Sequence, residues 1–230
     1  MIKPYYQTEL GKLYHGDCLE IMPELEPVAL VLTDPPYGIG IAKYGTVGGS
    51  KPFGKTNGKI IEAKQYPKTE WDKKRPPEIF FEYLIKKSKH QIIWGGNYFA
   101  DLFKPSPCWL VWHKDNTGNF ADCELAWTSF TTATRLIKWR WNGFLQEVGG
   151  KDREIRYHPT QKPVGLFIWV LDRYSKPKNI ILDPMIGSGT TAVACERLNR
   201  RWIGIEIEER YCEIAAKRIE KERSQLKLWN

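Results

Sequence analysis

The sequence lacks the long hydrophobic runs and the cysteine patterns that mark several classes of protein. No apolar stretch approaches the roughly 18 residues of a membrane-spanning helix, and no N-terminal segment reads as a signal peptide. The five cysteines include no C-x-x-C pair, and their odd number argues against a disulfide framework or a zinc site. We therefore expect a soluble protein of a reducing compartment, with no bound metal.

Acidic residues are outnumbered by basic ones. The 230 residues include 35 Lys and Arg against 27 Asp and Glu, which gives a formal net charge of +8. A basic balance favours a polyanionic partner. Ten Trp and eleven Tyr support this interpretation, since aromatic faces stack on unpaired bases, although core packing accounts for most of them. The length suits one α/β domain with a small appendage.

Short apolar runs alternate with helical patterns along most of the chain, which is typical of a mostly parallel sheet flanked by helices. The predicted strands are Val28–Thr33, Gln91–Trp94, Cys108–Trp112, Leu125–Phe130, Asn179–Leu182 and Trp202–Ile205. The predicted helices are Leu19–Leu25, Pro76–Lys89, Asn97–Phe103, Val164–Tyr174, Thr190–Leu198 and Glu208–Glu222. Two stretches break this rhythm. Residues 38–70 lack periodicity and predict a flexible loop, and the basic, Trp-containing residues 131–157 predict an insert.

The tetrapeptide Asp34-Pro35-Pro36-Tyr37 directly follows the predicted buried strand Val28–Thr33. Each proline holds φ at about −65° and removes a backbone N–H, and the residue before each proline must stay extended. The result is a stiff rim that carries one carboxylate, backbone carbonyl acceptors and an aromatic face. Such a rim suits a planar base that bears an NH2 group.

A second motif joins the predicted strand Asn179–Leu182 to a helix through Asp183 and a glycine turn at Gly187-Ser188-Gly189. Ligands bind beyond the carboxyl ends of strands in open parallel sheets, where glycines allow close approach of the backbone. The turn matches neither a phosphate-binding P-loop nor G-x-G-x-x-G. The next strand ends in Glu206, whose carboxylate can chelate ribose hydroxyls. Together these features predict a nucleoside site.

The two motifs together resemble those of the amino-group DNA methyltransferases that use S-adenosylmethionine. The order of Asp34–Tyr37 before Asp183–Thr190, with a recognition region between them, resembles the β class of that family. His158–Pro163 resembles the segment beside the cofactor's methionine moiety, and Gly16–Cys18 resembles the segment that meets its adenine. The resemblance implies one catalytic domain over residues 1–230, with a circularly permuted Rossmann-like α/β fold. It implies a mostly parallel seven-stranded sheet and a small target-recognition insert at 131–157.

The resemblance also implies roles for individual residues. The Asp34 carboxylate and the Pro35 carbonyl would accept the two N–H groups of the target amine, Pro36 would complete the rim, and Tyr37 would stack on a flipped-out base. Transfer would be direct, so no cysteine nucleophile is expected. The implied residues for S-adenosylmethionine, with S-adenosylhomocysteine as product, are Asp17, Cys18, Thr160, Lys162, Asp183, Gly187, Ser188, Gly189, Thr190 and Glu206.

Within this cofactor set, the resemblance assigns Glu206 to the ribose and Asp17 with the Cys18 backbone to the adenine. Thr160 and Lys162 would lie near the cofactor's carboxylate. The remaining residues would face the methionine moiety. One departure from the family pattern is Met185, since many relatives carry Phe at that position; a flexible thioether could fill the gap.

Double-stranded DNA is the expected partner, and N6 of adenine is the expected methyl acceptor. Asp34 favours adenine because similar cytosine enzymes more often carry Ser at this position. N4-cytosine methylation is the alternative, and RNA or a protein amide ranks lower. A non-catalytic nucleic-acid binder on the same scaffold is a further alternative, but it would be expected to carry a damaged motif, and both motifs look intact.

Basic residues of the insert and the loop predict contacts with DNA phosphates, which position a protein without specifying sequence. The predicted DNA contacts are Arg135, Lys138, Trp139 and Arg140 in the insert, with Lys43, Lys51, Lys55, Lys59 and Lys64 in the loop. Enzymes of this class are often homodimers, so a second copy of the chain is an expected partner. The resemblance implies a cytoplasmic, nucleoid-associated protein encoded by a bacterium or a phage, with restriction-modification among its expected settings.

Overall fold

The computed structural model describes residues 2–40, 55–56, 59–60, 72–115, 121–142, 145–150, 153–157 and 160–227. The strands are β1 (Tyr6–Gln7), β2 (Gly11–His15), β3 (Val28–Thr33), β4 (Lys55–Thr56), β5 (Lys59–Ile60), β6 (Ser88–Trp94), β7 (Trp109–His113), β8 (Cys123–Thr128), β9 (Arg135–Lys138), β10 (Trp141–Asn142), β11 (Leu145–Gln146), β12 (Ile180–Asp183) and β13 (Arg201–Glu206). The helices are α1 (Cys18–Ile21), α2 (Glu78–Lys86), α3 (Val164–Tyr174), α4 (Thr190–Arg197) and α5 (Glu209–Lys227). Among the described residues, no helix combines the length and the hydrophobicity that crossing a bilayer requires.

Within the described part of the chain, the main sheet has nine strands in the order β1-β2-β13-β12-β3-β6-β8-β7-β9. Strands β2, β13, β12, β3 and β6 run parallel to one another, whereas β1 is antiparallel to β2 and β8 is antiparallel to both β6 and β7. Seven strands from β2 to β7 form the centre, and β1 and β9 extend it at the two edges. The predicted Rossmann-like α/β fold with a mostly parallel sheet is therefore confirmed.

The hydrophobic core lies on both faces of the sheet. In β3, Leu30 and Leu32 face one buried cluster with α3 and α4, while Val31 faces the other cluster with α1 and α2. In β6, Ile92 and Ile93 divide between the faces in the same way. Strands covered on both sides need apolar residues at successive positions, which explains their continuous apolar runs. Each buried aliphatic side chain contributes roughly 1.5–3 kcal/mol.

Strand register brings the two motifs to one edge of the sheet. Strand β12 pairs in parallel with β3, with Leu182 opposite Val31, so Asp183 and Asp34 lie at neighbouring carboxyl ends. The Thr33 hydroxyl donates a hydrogen bond of 2.9 Å to Asp183 Oδ1 and joins these ends directly. Residues far apart in the sequence thus meet at the centre of the sheet.

Three predicted helices differ in the structure. In place of a helix at Leu19–Leu25, α1 ends at Ile21 and a 3₁₀ turn follows at Met22–Glu24. Helix α2 ends at Lys86, and β6 already begins at Ser88, because Ser88 pairs with Val28 of β3. Instead of a helix at Asn97–Phe103, the chain makes a single 3₁₀ turn at Gly96–Tyr98. The left-handed backbone of Gly95 starts this turn, and the burial of Phe99 in the core replaces helical packing as the source of its stability.

The predicted insert at 131–157 is only partly separate from the sheet. Strand β9 pairs in parallel with β7 and belongs to the main sheet, while β10 and β11 form a small hairpin. The four residues Arg135–Lys138 do not alternate between polar and apolar and are too few to reveal an edge strand by periodicity alone. Of the predicted loop at 38–70, the structure describes residues 38–40 and the paired strands β4 and β5. The rest lies outside the described residues.

Candidate active site

A cavity of about 550 Å³ lies at the carboxyl ends of the central strands. Asp34 and Pro36 of the first motif line it, and so do nine of the ten predicted cofactor residues. The volume is within the range of small-molecule sites. The nine are Asp17, Cys18, Thr160, Lys162, Asp183, Gly187, Ser188, Thr190 and Glu206.

Gly189 is the predicted cofactor residue that does not line the cavity. It adopts a left-handed backbone (φ 87°), and a Cβ atom there would press against Ala215 of α5. Its glycine is therefore required by helix packing. Gly187 (φ 54°) differs, because a Cβ atom there would meet no atom within 4 Å. The turn is thus closely packed against α5 at Gly189 and open towards the cavity at Gly187.

Glu206 ends β13 and is held at the cavity by the backbone. Its Oε2 accepts a hydrogen bond of 2.9 Å from the Gly187 N–H, and its Oε1 accepts one of 2.8 Å from the Glu208 N–H. Burial raises the pKa of this carboxyl against the opposing effect of these backbone donors. A carboxylate offers about four acceptor positions, so two remain for a ligand.

Asp17 and Cys18 lie where α1 begins. Asp17 caps the helix, because its Oδ1 accepts a hydrogen bond of 2.8 Å from the Leu19 N–H. Burial raises the pKa of the Cys18 thiol to about 12, and the neighbouring Asp17 charge adds to this effect. A thiol that stays protonated at neutral pH is a poor nucleophile.

Asp183 is buried and bonds mainly within the protein. It accepts hydrogen bonds from the hydroxyls of Thr33 and Thr191 and from the Met185 N–H. Burial raises its pKa to about 7 despite these donors. Both oxygens are used to tie the glycine turn to β3 and α4, so Asp183 supports the cavity wall. Met185, the departure from the family pattern, also lines the cavity.

Asp34 lies at the centre of a partly buried cluster of charges. The Tyr37 hydroxyl donates a hydrogen bond of 2.5 Å to its Oδ1, and Lys162 Nζ donates one of 2.5 Å to its Oδ2. Lys162 Nζ also lies 3.1 Å from the Tyr37 hydroxyl. The Lys162 side chain is 5% exposed and that of Asp34 is 19% exposed. The ammonium predicted for the cofactor's carboxylate is therefore paired with the first motif.

Glu124 and Lys114 complete this cluster and were missed by sequence reasoning. Glu124 Oε2 lies 3.0 Å from Lys162 Nζ, and its Oε1 forms an ion pair with Lys114. Burial alone would raise the pKa of Glu124, but the two lysines outweigh it and lower the pKa to about 2. The available signal was an acidic side chain within the otherwise largely apolar strand β8, since a buried charge requires a partner.

The pKa values of Asp34 and Lys162, the other two charged groups of the cluster, are both raised. Burial raises the pKa of Asp34, the Lys162 charge opposes this, and the Glu124 charge adds to it. For Lys162, burial acts to lower the pKa, but the carboxylates of Asp34 and Glu124 outweigh burial and raise it. Lys162 therefore stays charged, and Asp34 is the carboxylate of the cluster that protonates more readily.

The Tyr37 ring is held between other side chains. It stacks on Tyr98 with ring centroids 4.7 Å apart and meets the edge of Phe99. A Cβ atom at Gly95 would overlap the Tyr37 ring, so glycine is needed beneath it. One face of the ring is thus already covered by Tyr98, and Tyr37 does not line the cavity. Pro35 is buried and also lies outside the cavity lining.

The predicted DNA-contacting residues are divided between two edges of the sheet. Lys138 and Arg140 lie at the active-site edge, where both form ion pairs with Asp115 at 3.1 Å and 2.5 Å. Arg135 lies at the opposite edge, at the amino end of β9, in a second cavity. Trp139 packs closely on Gly165 of α3 and is not a free stacking surface.

Several predicted residues fall outside the described part of the chain. These are Lys43, Lys51, Lys64 and His158, together with the side chains of Lys55 and Lys59. Among the residues that the structure describes, no group of three or more His, Cys, Asp or Glu side chains could hold a metal ion.

Comparison with known families identifies the chain. Residues 47–217 match the family N6_N4_Mtase, described as DNA methylase. The chain belongs to this family. This DNA methyltransferase has its glycine turn and Lys162 inside the matched span, while Asp34–Tyr37 precedes it.

Curated relatives match over nearly the full chain. Type II methyltransferase M2.LlaDCHI of Lactococcus lactis subsp. cremoris is 26% identical over 270 residues, which cover 96% of this chain and 93% of the relative. Type II methyltransferase M2.DpnII of Streptococcus pneumoniae is 26% identical over 274 residues, which cover 96% and 94%.

Solved structures share the fold. The crystal structure of the M1.HpyAVI-SAM complex has a TM-score of 0.56 at 22% identity and covers 90% of this chain and 99% of that one. The PvuII DNA methyltransferase (cytosine-N4-specific) has a TM-score of 0.60 at 17% identity, with 97% and 93% covered. At these identities the likeness concerns the arrangement of strands and helices.

Proposed function

We propose that this DNA methyltransferase transfers a methyl group from S-adenosylmethionine directly to the N6 amino group of adenine in double-stranded DNA. The observation that carries the proposal is the position of Asp34 in the wall of the same cavity that the glycine turn and Glu206 line. A carboxylate for the amine and a nucleoside-binding turn share one enclosed space.

The residues of this cavity fit S-adenosylmethionine. Glu206 retains two acceptor positions for the ribose hydroxyls, and the open front of Gly187 allows a ligand to approach the backbone. Asp17 and the backbone of Cys18 serve the adenine, while Thr160 lines the cavity where the carboxylate of the methionine moiety would lie. Solved relatives include a protein in complex with SAM. The cofactor supplies an electrophilic methyl group on a sulfonium.

Asp34 would activate the target amine by accepting one of its N–H groups, and the Pro35 carbonyl would accept the other. The lone pair of an aromatic amino nitrogen is delocalised into the ring, so two acceptors favour a pyramidal nitrogen whose lone pair faces the methyl group. Positive charge then develops on this nitrogen, and a fixed carboxylate stabilises the transition state more than the ground state.

The base must leave the duplex to reach this cavity. Because Tyr98 covers one face of Tyr37, the opposite face or edge of the Tyr37–Tyr98 pair would contact the extruded base. Stacking on an aromatic side chain contributes ~1–3 kcal/mol per base, which offsets part of the extrusion cost. Lys138 and Arg140 lie at the same edge of the sheet and suit contacts with phosphate.

Adenine rather than cytosine is proposed because Asp34 provides the acceptor. The decisive experiment incubates the purified protein with duplex DNA and labelled S-adenosylmethionine and then identifies the modified nucleoside by mass spectrometry. We expect N6-methyladenine. N4-methylcytosine alone would reject adenine as the target, and label on RNA or protein but not on DNA would reject the substrate class.

The curated relatives are named type II methyltransferases of bacteria, which favours a role in restriction-modification. A homodimer stays a prediction, and sedimentation of the purified protein tests it.

A further inference from the structure

One buried ammonium group is shared by two partly buried carboxylates in the active site. Lys162 Nζ lies 2.5 Å from Asp34 Oδ2 and 3.0 Å from Glu124 Oε2. Only the contact with Asp34 has the geometry of a hydrogen bond, since Glu124 Oε2 is fully buried and has no hydrogen-bond partner among the described residues. Glu124 thus holds Lys162 as an ion pair at 3.0 Å, without the hydrogen-bond geometry that Lys162 has with Asp34.

The position of Glu124 is rigid. Its strand β8 lies between β6 and β7 in the main sheet, and Glu124 pairs with Trp112 of β7. The other carboxylate oxygen is held by Lys114, whose ammonium lies 5.2 Å from the centre of the Trp112 ring. Glu124 therefore cannot follow Lys162 into the cavity and acts as a fixed anchor.

The four charged groups balance one another. Asp34 and Glu124 contribute two negative charges, and Lys162 and Lys114 contribute two positive charges. Removal of one member leaves an uncompensated buried charge, which is costly. The balance explains how two carboxylates remain so close to a methyl-transfer site.

The resting arrangement also occupies both oxygens of Asp34. Tyr37 donates to Oδ1, and Lys162 donates to Oδ2. An incoming amino group therefore competes with an ammonium for the same carboxylate. The competition is relieved if Lys162 has a second acceptor within reach, and Glu124 Oε2 lies 3.0 Å away.

We propose that Glu124 is a positioning residue that takes over the Lys162 hydrogen bond when Asp34 accepts the target amino group. This inference rests on the proposed function, because it assigns the Asp34 carboxylate to the amine. Lys162 moves only slightly, no proton is transferred between the two residues, and the cluster keeps its charge balance throughout.

The test compares Glu124→Gln with the wild-type protein in methyl transfer to duplex DNA. Without the second carboxylate, Lys162 stays on Asp34, so we expect kcat to fall at least about tenfold. Affinity for S-adenosylmethionine, measured by calorimetry, should stay within about twofold, because Glu124 does not line the cofactor cavity.

The pH profile separates this role from a merely structural one. The ionised form of Asp34 is the acceptor, so activity is lost as pH falls through its pKa. Loss of the Glu124 charge lowers the pKa of Asp34, and the acidic limb of kcat in Glu124→Gln should move to lower pH. Loss of the Lys162 charge has the opposite effect, so the limb in Lys162→Gln should move to higher pH.

Glu222→Gln is the matched control. Glu222 is a buried carboxylate that pairs with Arg197 at 2.6 Å between α4 and α5, away from the active site. The Glu222→Gln variant should lose about as much unfolding free energy as Glu124→Gln, with no change in kcat or in the acidic limb of the pH profile. If Glu124→Gln does not fold, Glu124→Asp keeps the charge but shortens the reach to Lys162, and we expect a lower kcat with the wild-type acidic limb.

The outcomes distinguish the two proposals. A folded Glu124→Gln with wild-type kcat and an unmoved limb would overturn the role of Glu124, as would Glu124→Asp with full kcat. Failure of the wild-type protein to methylate adenine in DNA would instead count against the proposed function.

Discussion

The two ends of the sheet each carry a cavity of similar size but of opposite chemistry. The cavity at the carboxyl ends has a volume of about 550 Å³ and is lined by the partly buried Asp34 and by the buried carboxylates Asp183 and Glu206. The cavity at the amino ends has about 510 Å³, and its described lining includes no carboxylate. Its charged residues are Lys89, Arg135, Arg173 and Lys176, all of which are exposed.

Cavity volume alone therefore does not identify a functional site. The burial and pairing of the charged side chains that line the cavity are the better indicator. At the carboxyl-end cavity, burial raises the pKa of Asp34 and Asp183; Asp34 is paired with Lys162, and Asp183 is held by hydroxyl and backbone N–H donors. At the amino-end cavity, the cations lie in water and are screened by salt. Its His90 stacks on Phe130 at 4.4 Å, and burial, with the charge of Lys89, lowers its pKa.

The largest effect is expected for Asp34→Asn at the carboxyl-end cavity. The amide replaces the carboxylate with almost no change in size but lacks the negative charge, so we expect kcat to fall by about 10²–10³-fold. Steady-state methylation of duplex DNA measures the effect, and S-adenosylmethionine binding should persist. Asp101→Asn is the control, since Asp101 forms an exposed pair with Arg75. Unchanged turnover in Asp34→Asn would reject the mechanism.

A smaller effect, on cofactor affinity, is expected when Glu206 in the opposite part of the cavity lining is replaced. Glu206→Ala removes the carboxylate that the Gly187 and Glu208 backbone holds, and we expect S-adenosylmethionine affinity to fall about 10–100-fold, the effect of a charged hydrogen bond. Calorimetry measures the dissociation constant. Glu209→Ala is the control, because Glu209 is an exposed acid three residues along. Equal affinities for the two variants would exclude Glu206 from the cofactor site.

Gly95→Ala probes the support beneath Tyr37. The methyl group would overlap the Tyr37 ring, and overpacking of this kind costs about 1–3 kcal/mol of unfolding free energy. Gly40→Ala is the matched control, because Gly40 has nearly the same φ (71° against 70°) but no atom of the described residues lies within 4 Å of its Cβ position. Denaturant unfolding of both variants separates backbone strain from the clash. Equal losses would mean that the clash with Tyr37 is relieved.

The smallest effects, on DNA affinity, are expected when single basic residues are replaced. One replacement at each edge of the sheet compares the two edges directly. On a short duplex, Lys138→Ala should weaken binding a few-fold and reduce the salt dependence by about one phosphate contact. Arg135→Ala should leave both unchanged, because Arg135 lies at the amino-end cavity. Binding titrations over a range of salt concentrations measure this. A stronger effect for Arg135→Ala would mean that DNA also contacts the opposite edge.

Much of the fold followed from local patterns. The strand Val28–Thr33 and the helix Val164–Tyr174 have the predicted boundaries, because continuous apolar runs and helical periodicity report burial residue by residue. The structure of the insert at 131–157 was harder to predict. Strand β9 has only four residues, and its place in the sheet depends on pairing with β7, which no local pattern encodes.

The candidate site likewise has a part that local patterns predict and a part that depends on contacts between distant segments. Glycine turns and strand ends carry a recognisable pattern, so most predicted cofactor residues line one cavity. The packing of Gly189 against α5 could not be predicted, because a glycine turn does not show which of its two glycines faces a helix. The packing of Trp139 on Gly165 could not be predicted either, because it is a contact between distant segments.

The sequence by itself determined the two motifs, their order and their positions at strand ends, since proline, glycine and apolar runs act on the backbone nearby. The tertiary structure alone decided which charges meet. Lys162 and Asp34 are 128 positions apart, and Glu124 comes from a third element. Their contact depends on strand order and register, and burial then makes each charge depend on the others because water no longer screens them.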